Sequence, residues 1–330
     1  MIGKSGIKKS KFSNILGPFI ALMLLSLLSS VAINKFFSVA NLLNILRQAS
    51  INTLVATGML FVLLTGGIDL SVGAIIALSG CMMGMIVNKG GLTDPALLLL
   101  VGILCGIVVG LVNGLLFTQL NLPHPFVSTL GTQLFIRGFC LWLTGSASSG
   151  GFPDGVMYLG YASIGGFPVS FLLVILVVVI ASIFLNWTAT GRYIYSIGGN
   201  REASRLSGIK VKPLLNLTYT LSGVLSALAG IVLVGRVGLA YPNAGSGYEM
   251  NAIAACVIGG ASFNGGRGSI GGTLIGALLI AVLNNSLNLL GAKSDVQQMI
   301  LGLVVVTAVF IDVVRGQQEA RIRRLAQAKE

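Results

Sequence analysis

Ten apolar runs follow one another along this chain, at 15–33, 43–64, 70–87, 96–119, 125–143, 168–187, 213–235, 249–263, 269–290 and 296–313. Most are long enough, at about 1.5 Å of rise per residue, to cross roughly 30 Å of hydrocarbon as a helix. Backbone polar groups in lipid must be satisfied internally, so spanning segments are helices or closed barrels. The alternating segments of about ten residues that a barrel needs are absent. Charged residues make up 9% of the chain, against about a quarter in soluble domains. The expected fold is an all-α polytopic membrane helix bundle of ten spans. Run 249–263 is short and is expected to be a partial or broken helix, buried in protein or facing water.

The net charge of +12 does not point to nucleic acid, because the basic residues sit in short connections and tails. With the N-terminus inside, the inner segments hold 15 Lys and Arg and the outer ones five, which is the bias that orients membrane proteins. The inner residues include Lys4, Lys8, Lys9 and Lys11, then Arg192 to Lys212, Arg267, and Arg315 to Lys329. The outer ones are Lys35, Arg47, Lys89, Arg236 and Lys293, and segment 144–167 has none. Three regions follow: a cytoplasmic basic arm at 1–14, a transmembrane domain at 15–313, and a cytoplasmic basic tail at 314–330. Ser30-Val31-Ala32 is similar to a cleavage site, but the reading keeps the first run as an uncleaved span.

Between the second and third runs lies Thr65-Gly-Gly-Ile-Asp-Leu-Ser-Val-Gly73. Glycine permits a sharp turn, and Asp69 and Ser71 are suited to accept the free N–H groups of the next helix. An Asp is expensive at a bilayer centre, so Asp69 is expected at an interface or beside a wet cavity. A related pattern, Asn264-Gly-Gly-Arg-Gly-Ser-Ile-Gly-Gly272, comes about 200 residues later. The pair suggests a parallel duplication of spans 1–4 and 7–10, with both turns on the cytoplasmic face. If the charge of Asp69 has a basic partner, Arg267 in the matching turn is the candidate. Gly102, Gly106, Gly110 and Gly114 recur every fourth residue, as do Gly268, Gly272 and Gly276, which permits close helix packing.

Catalytic constellations are missing from the sequence. His124 is the only histidine, and Cys81, Cys105, Cys140 and Cys256 all lie in apolar runs without metal spacing. Gly265-Gly-Arg-Gly268 lacks the Lys-Ser/Thr ending of a nucleotide loop. The reading is a non-enzymatic chain without a cofactor or metal of its own. The informative polar residues within the runs are Asn113, Gln133, Arg137, Asn284, Asn285 and Asn288, with Asn52 beside them. Gln133 and Arg137 share a helix face, as do Asn284 and Asn288. They serve either as interhelical hydrogen-bond partners or as the lining of a path for an uncharged polar solute. Intramembrane acids are few, which argues against an ion-driven pump.

The inner connection 188–212 carries Gly198-Gly-Asn-Arg-Glu-Ala-Ser-Arg-Leu-Ser-Gly208. Asn200 is suited to cap a helix and Gly208 to stop it two turns later. A short charged surface helix follows, with Arg201, Glu202 and Arg205 for polar contacts and Leu206 as an apolar anchor.

Several stretches together resemble the ribose-type sugar ABC transporter permeases. They are 64–73, 125–132 with Arg137-Gly138, 191–208, 245–255, and 271–277 followed by Asn284-Asn285. The resemblance runs from about residue 40 to 312. His124 departs from it, standing where the family often has proline or a small residue. The resemblance implies a permease subunit in a bacterial inner membrane, with both termini cytoplasmic. A second permease chain, a cytoplasmic ATPase subunit that binds the ATP, and an extracytoplasmic sugar-binding protein would complete the importer. It further implies that 200–208 couples to the ATPase, with Glu202, Ala203 and Gly208 matching the family pattern. A monosaccharide, pentose or hexose, is the expected solute. Alternatives are a same-superfamily permease for a nucleoside, a branched-chain amino acid or a furanosyl signal, and an ion-driven secondary transporter.

Overall fold

The computed structural model describes residues 13–327, so most of the basic arm and the last three residues of the tail lie outside it. The chain runs α1 (Ser13–Ala32), α2 (Val39–Leu64), α3 (Val72–Gly90), α4 (Pro95–Gln119), α5 (Pro125–Thr144) and α6 (Asp154–Tyr161). A small antiparallel hairpin follows, β1 (Ser163–Ile164) paired with β2 (Phe167–Pro168). Then come α7 (Val169–Trp187), α8 (Ala189–Gly199), α9 (Arg201–Leu206), α10 (Val211–Val237), α11 (Tyr248–Ile258), α12 (Ile270–Leu289) and α13 (Ser294–Gln327). Among the described residues, nine helices are long and apolar enough to cross a bilayer, and α11 is a shorter apolar helix. This is the all-α polytopic membrane bundle expected.

Helix starts follow the capping residues. Ser38, Asp94, Thr188, Asn200 and Ser269 each accept a backbone N–H of the first turn, and Pro95 stands where its missing N–H is harmless. Gly91 and Gly145 close α3 and α5 in the left-handed conformation. Expected and observed spans agree to within a few residues except at two places. The short run is an 11-residue helix, α11. The last span continues as helix to Gln327, because the charged tail extends the same helix beyond the apolar run.

The connections sort into two ends. Turns 65–71 and 259–269 meet segment 198–201 at one end. There the Gly266 N–H donates to Leu64 O at 2.9 Å, and Arg201 reaches Phe117 near the end of α4. At the opposite end Ser149 bridges Ala240, Arg47 donates to Ser163, and Arg236 donates to Asn44. α10 and α12 both rise from the first end to the second. Residues 238–269 therefore return the chain through the bundle, first as a series of turns and then as α11. That return preserves the ten-pass alternation although α11, about 16 Å long, is half a span. The two Gly-Gly turns of the suggested duplication meet, but they are entered unequally, by 26 residues of helix in the first case and 11 in the second.

The glycine series on α4 faces α10. A Cβ on Gly106 would strike Gly223 and Ala227, one on Gly110 the backbone of Tyr219 and Thr220, and one on Gly114 Asn216. On α12, Gly272 and Gly276 press against Gly259 and Ala255 in the same way. Without a hydrophobic drive between helices in lipid, such backbone approach supplies the packing. Gly106→Val should destabilise the fold by about 2–3 kcal/mol through overpacking, read as a lower apparent melting temperature in detergent. A variant that melts with the native protein would show that the seam yields.

Candidate functional site

The first turn of α3 is the centre of the polar architecture. Leu64 ends α2, and residues 66–70 climb back into the bundle before Val72 begins α3. Asp69 is fully buried there. Its Oδ1 accepts from the Ser71 N–H at 3.0 Å and the Ser71 hydroxyl at 2.6 Å. Its Oδ2 accepts from the Ser222 hydroxyl of α10 at 2.8 Å. The Asn113 amide of α4 donates to Ser71 Oγ at 2.7 Å. Asp69, Ser71 and Asn113 thus form one cluster, with Ser222 added. Two expectations are corrected. Asp69 is fully buried in protein rather than open to a wet cavity, and two hydroxyls and a backbone N–H satisfy it. Ser71 makes no side-chain cap, because its hydroxyl donates to Asp69 and accepts from the Asn113 amide instead. The hydrogen bonds Asp69 accepts come from Ser71 and Ser222 rather than from Arg267, which is exposed in the other turn. Burial pushes the Asp69 carboxyl up from its ordinary value, and the Ser71 and Ser222 hydrogen bonds oppose that shift.

Three glycine-rich segments interlock below this cluster. A Cβ on Gly198 would strike Leu64 O and Gly266 N, and one on Gly265 would lie 2.8 Å from Gly66 N. The end of α8 is therefore seated against both Gly-Gly turns. Immediately after it, Asn200 Oδ1 accepts from the Ala203 N–H at 2.9 Å and starts α9. Ser207 closes α9, and Gly208 follows at φ +82°, in the left-handed region. Glu202 and Arg205 form an exposed pair at 2.6 Å, which holds the Glu202 carboxyl below its ordinary value. Leu206 is 74% exposed. Arg201 instead turns inward, its guanidinium 5.1 Å from the centre of the Phe117 ring. A groove of about 280 Å³ beside α9 is lined by Phe117, Thr118, Leu122, Arg201, Lys212 and Leu215 among others.

A second polar layer gathers at Gly73, in the same first turn of α3. Arg137 Nη1 donates to Pro242 O at 2.9 Å and Ala244 O at 2.6 Å, pinning the turns that precede α11. Arg137 Nη2 and Glu249 Oε2 are both buried and unpartnered. A Cβ built on Gly73 would lie 3.4 Å from the first and 2.5 Å from the second, so both atoms face the same notch. Gln133 is half-buried one turn before Arg137.

The remaining candidates do not join either layer. Asn285 exchanges two hydrogen bonds with Asn41 of α2, at 3.1 and 2.9 Å. Asn288 is exposed and accepts from Gln297 of α13 at 2.8 Å. Both fit the reading as interhelical ties, and Asn284, next to Asn285, is half-buried. Glu249, Ser222 and Tyr219 escaped sequence reasoning. Glu249 carried a signal, as one of nine acidic residues at the start of the short run. Ser222 and Tyr219 carried none, since the contacts that matter come from 150 residues away.

The sequence model of the family described as branched-chain amino acid transport system / permease component matches residues 41–309. The ribose import permease protein RbsC of Bacillus subtilis (strain 168) is 47% identical over 300 residues, covering 90% of this chain and 92% of the relative. The ribose import permease protein RbsC of Escherichia coli (strain K12) is 42% identical over 298 residues, covering 89% and 92%. The D-allose transport system permease protein AlsC of Escherichia coli (strain K12) is 37% identical over 295 residues, covering 89% and 90%. No solved structure matches the chain.

Proposed function

The chain belongs to the branched-chain amino acid transport system / permease component family, and from that premise we propose that it forms the membrane pathway of a ribose importer. It is a multi-pass membrane protein and a monosaccharide permease subunit. Ribose is favoured over allose because the ribose permeases share more of the sequence. The observation that carries the mechanism is α9: a capped, charged turn with an exposed leucine, seated by Gly198 against the turns that lead into the bundle.

In this reading the end bearing α9 is cytoplasmic, as are both termini, in a bacterial inner membrane. A separate ATPase subunit docks on Asn200, Arg201, Glu202, Ala203, Arg205, Leu206 and Gly208. A sugar-binding protein delivers ribose to the opposite end, beside the hairpin, and a second permease chain completes the pathway. The positive-inside bias supports the orientation: Arg192, Arg201, Arg205, Lys210, Lys212 and Arg267 gather at one end. The alternatives of another polar solute or an ion-driven carrier lack a comparable observation.

Cells expressing the chain with its ATPase and binding protein should accumulate labelled ribose, with unlabelled ribose competing better than allose. Uptake should persist when a protonophore collapses the ion gradient while ATP is maintained. Accumulation that follows the ion gradient and needs no ATPase would overturn the reading.

A further inference from the structure

Tyr219 of α10 is fully buried, yet its hydroxyl has no hydrogen-bond partner. Buried polar groups are nearly always paired, so an orphan one calls for an explanation. The hydroxyl lies where a Cβ on Gly67 would come within 2.6 Å, so it occupies the space the glycine leaves in the Asp69 turn. Asp69 and Arg201 are the charged side chains near enough to act on it. Its ring meets Phe117 edge-on, with centroids 6.2 Å apart, and Phe117 carries the Arg201 guanidinium on its face. One turn further along α10, Ser222 donates to Asp69. An unbroken line of contacts therefore runs from α9 through Phe117 and Tyr219 to the first turn of α3.

We propose that Tyr219 is a positioning residue that passes displacement of the α9 segment to the Asp69 turn, its hydroxyl engaging Asp69 or Arg201 as that segment moves. The proposal rests on the reading of α9 as the ATPase dock. An orphan hydroxyl fits this role better than a structural one. A residue kept for the fold would have its hydrogen bond in the resting arrangement. One that acts during movement needs a partner only in the other state. Gly67 fits too, since any side chain there would block the hydroxyl's travel.

The test uses the complete complex in proteoliposomes, with ATPase and ribose-loaded binding protein, and reads ATP hydrolysis and ribose import together. Tyr219→Phe deletes an unpartnered group, so assembly and stimulated hydrolysis should stay within about twofold of native. Ribose imported per ATP should fall roughly fivefold, the size expected when one link of a coupled network is lost. Gly67→Ala drives a methyl against the hydroxyl and should impair import alone. The double variant should import no worse than Tyr219→Phe, since the clash with the hydroxyl is gone and only the milder approach to Val62 remains. A native import ratio in Tyr219→Phe, losses that simply add, or failure of Tyr219→Phe to assemble would each overturn the proposal. Glu202→Lys separates it from the docking reading. If that variant cannot recruit the ATPase while Tyr219→Phe is native, only the joint is wrong. If Glu202→Lys is native, the dock and the joint both fall.

Discussion

Glu202→Lys and Gly208→Pro should each abolish ribose uptake while the protein still inserts and folds. Glu202 is the only acidic group on α9, and its exposed pairing with Arg205 balances one of the two arginines. Reversal to lysine leaves three cations on a six-residue helix, and a partner surface shaped for a mixed charge pattern meets like charge instead. Gly208 works through the backbone. Its φ of +82° lies far outside the proline range, and its N–H donates to Arg205 O at 3.0 Å, which proline cannot do. Together these disfavour the native exit from α9 by about 3 kcal/mol or more. Co-purification of the ATPase with each variant, alongside ribose uptake, is the measurement. Asp154→Lys, in the first turn of α6 at the opposite end, should leave co-purification unchanged. Native uptake in Glu202→Lys would move the dock elsewhere, with turn 264–268 next.

The largest stability effect should come from Arg137→Met. The guanidinium satisfies two carbonyls of a segment that has no helix of its own, and it faces the Glu249 carboxylate across the Gly73 notch. Methionine fills similar volume but removes both bonds and takes the positive charge away from the half-buried Glu249. Each buried carbonyl left without its donor costs about 1–3 kcal/mol, so the apparent melting temperature should fall by several degrees. Adding Glu249→Gln removes the charge that has lost its neighbour and should restore part of that loss, although the two carbonyls stay unpaired. An Arg137→Met variant as stable as the native chain would mean that water or lipid headgroups already serve this segment.

The spans, the turns and α9 were legible because each rests on local chemistry. Apolar length sets α2 to α5, Asn200 and Gly208 bracket α9, and the spacing of Gly106 and Gly110 announces the seam with α10. What was hidden depends on distant partners. Asp69 can be buried because Ser222 lies opposite it, 153 residues on, and a lone Asp beside two glycines gives no hint of that hydroxyl. Asn285 reads the same whether it lines a path or ties α12 to α2, and only the position of Asn41 separates the two. Glu249 stands at the first residue of run 249–263, and nothing in its local sequence reveals the notch at Gly73 that its side chain faces.

The α4–α10 seam carries a consequence for movement. Where Gly106 meets Gly223 and Gly110 meets Tyr219 and Thr220, the contact is made largely by main chain, without long side chains to swing aside and absorb a shift. Main chain against main chain behaves as a weld, since any slide or tilt drives one backbone into the other. A Cβ on Gly131 or Gly138 of α5, by contrast, would meet nothing within 4 Å. The α4–α10 pair should therefore keep its spacing whatever the rest of the bundle does, whereas α5 presents open faces at Gly131 and Gly138.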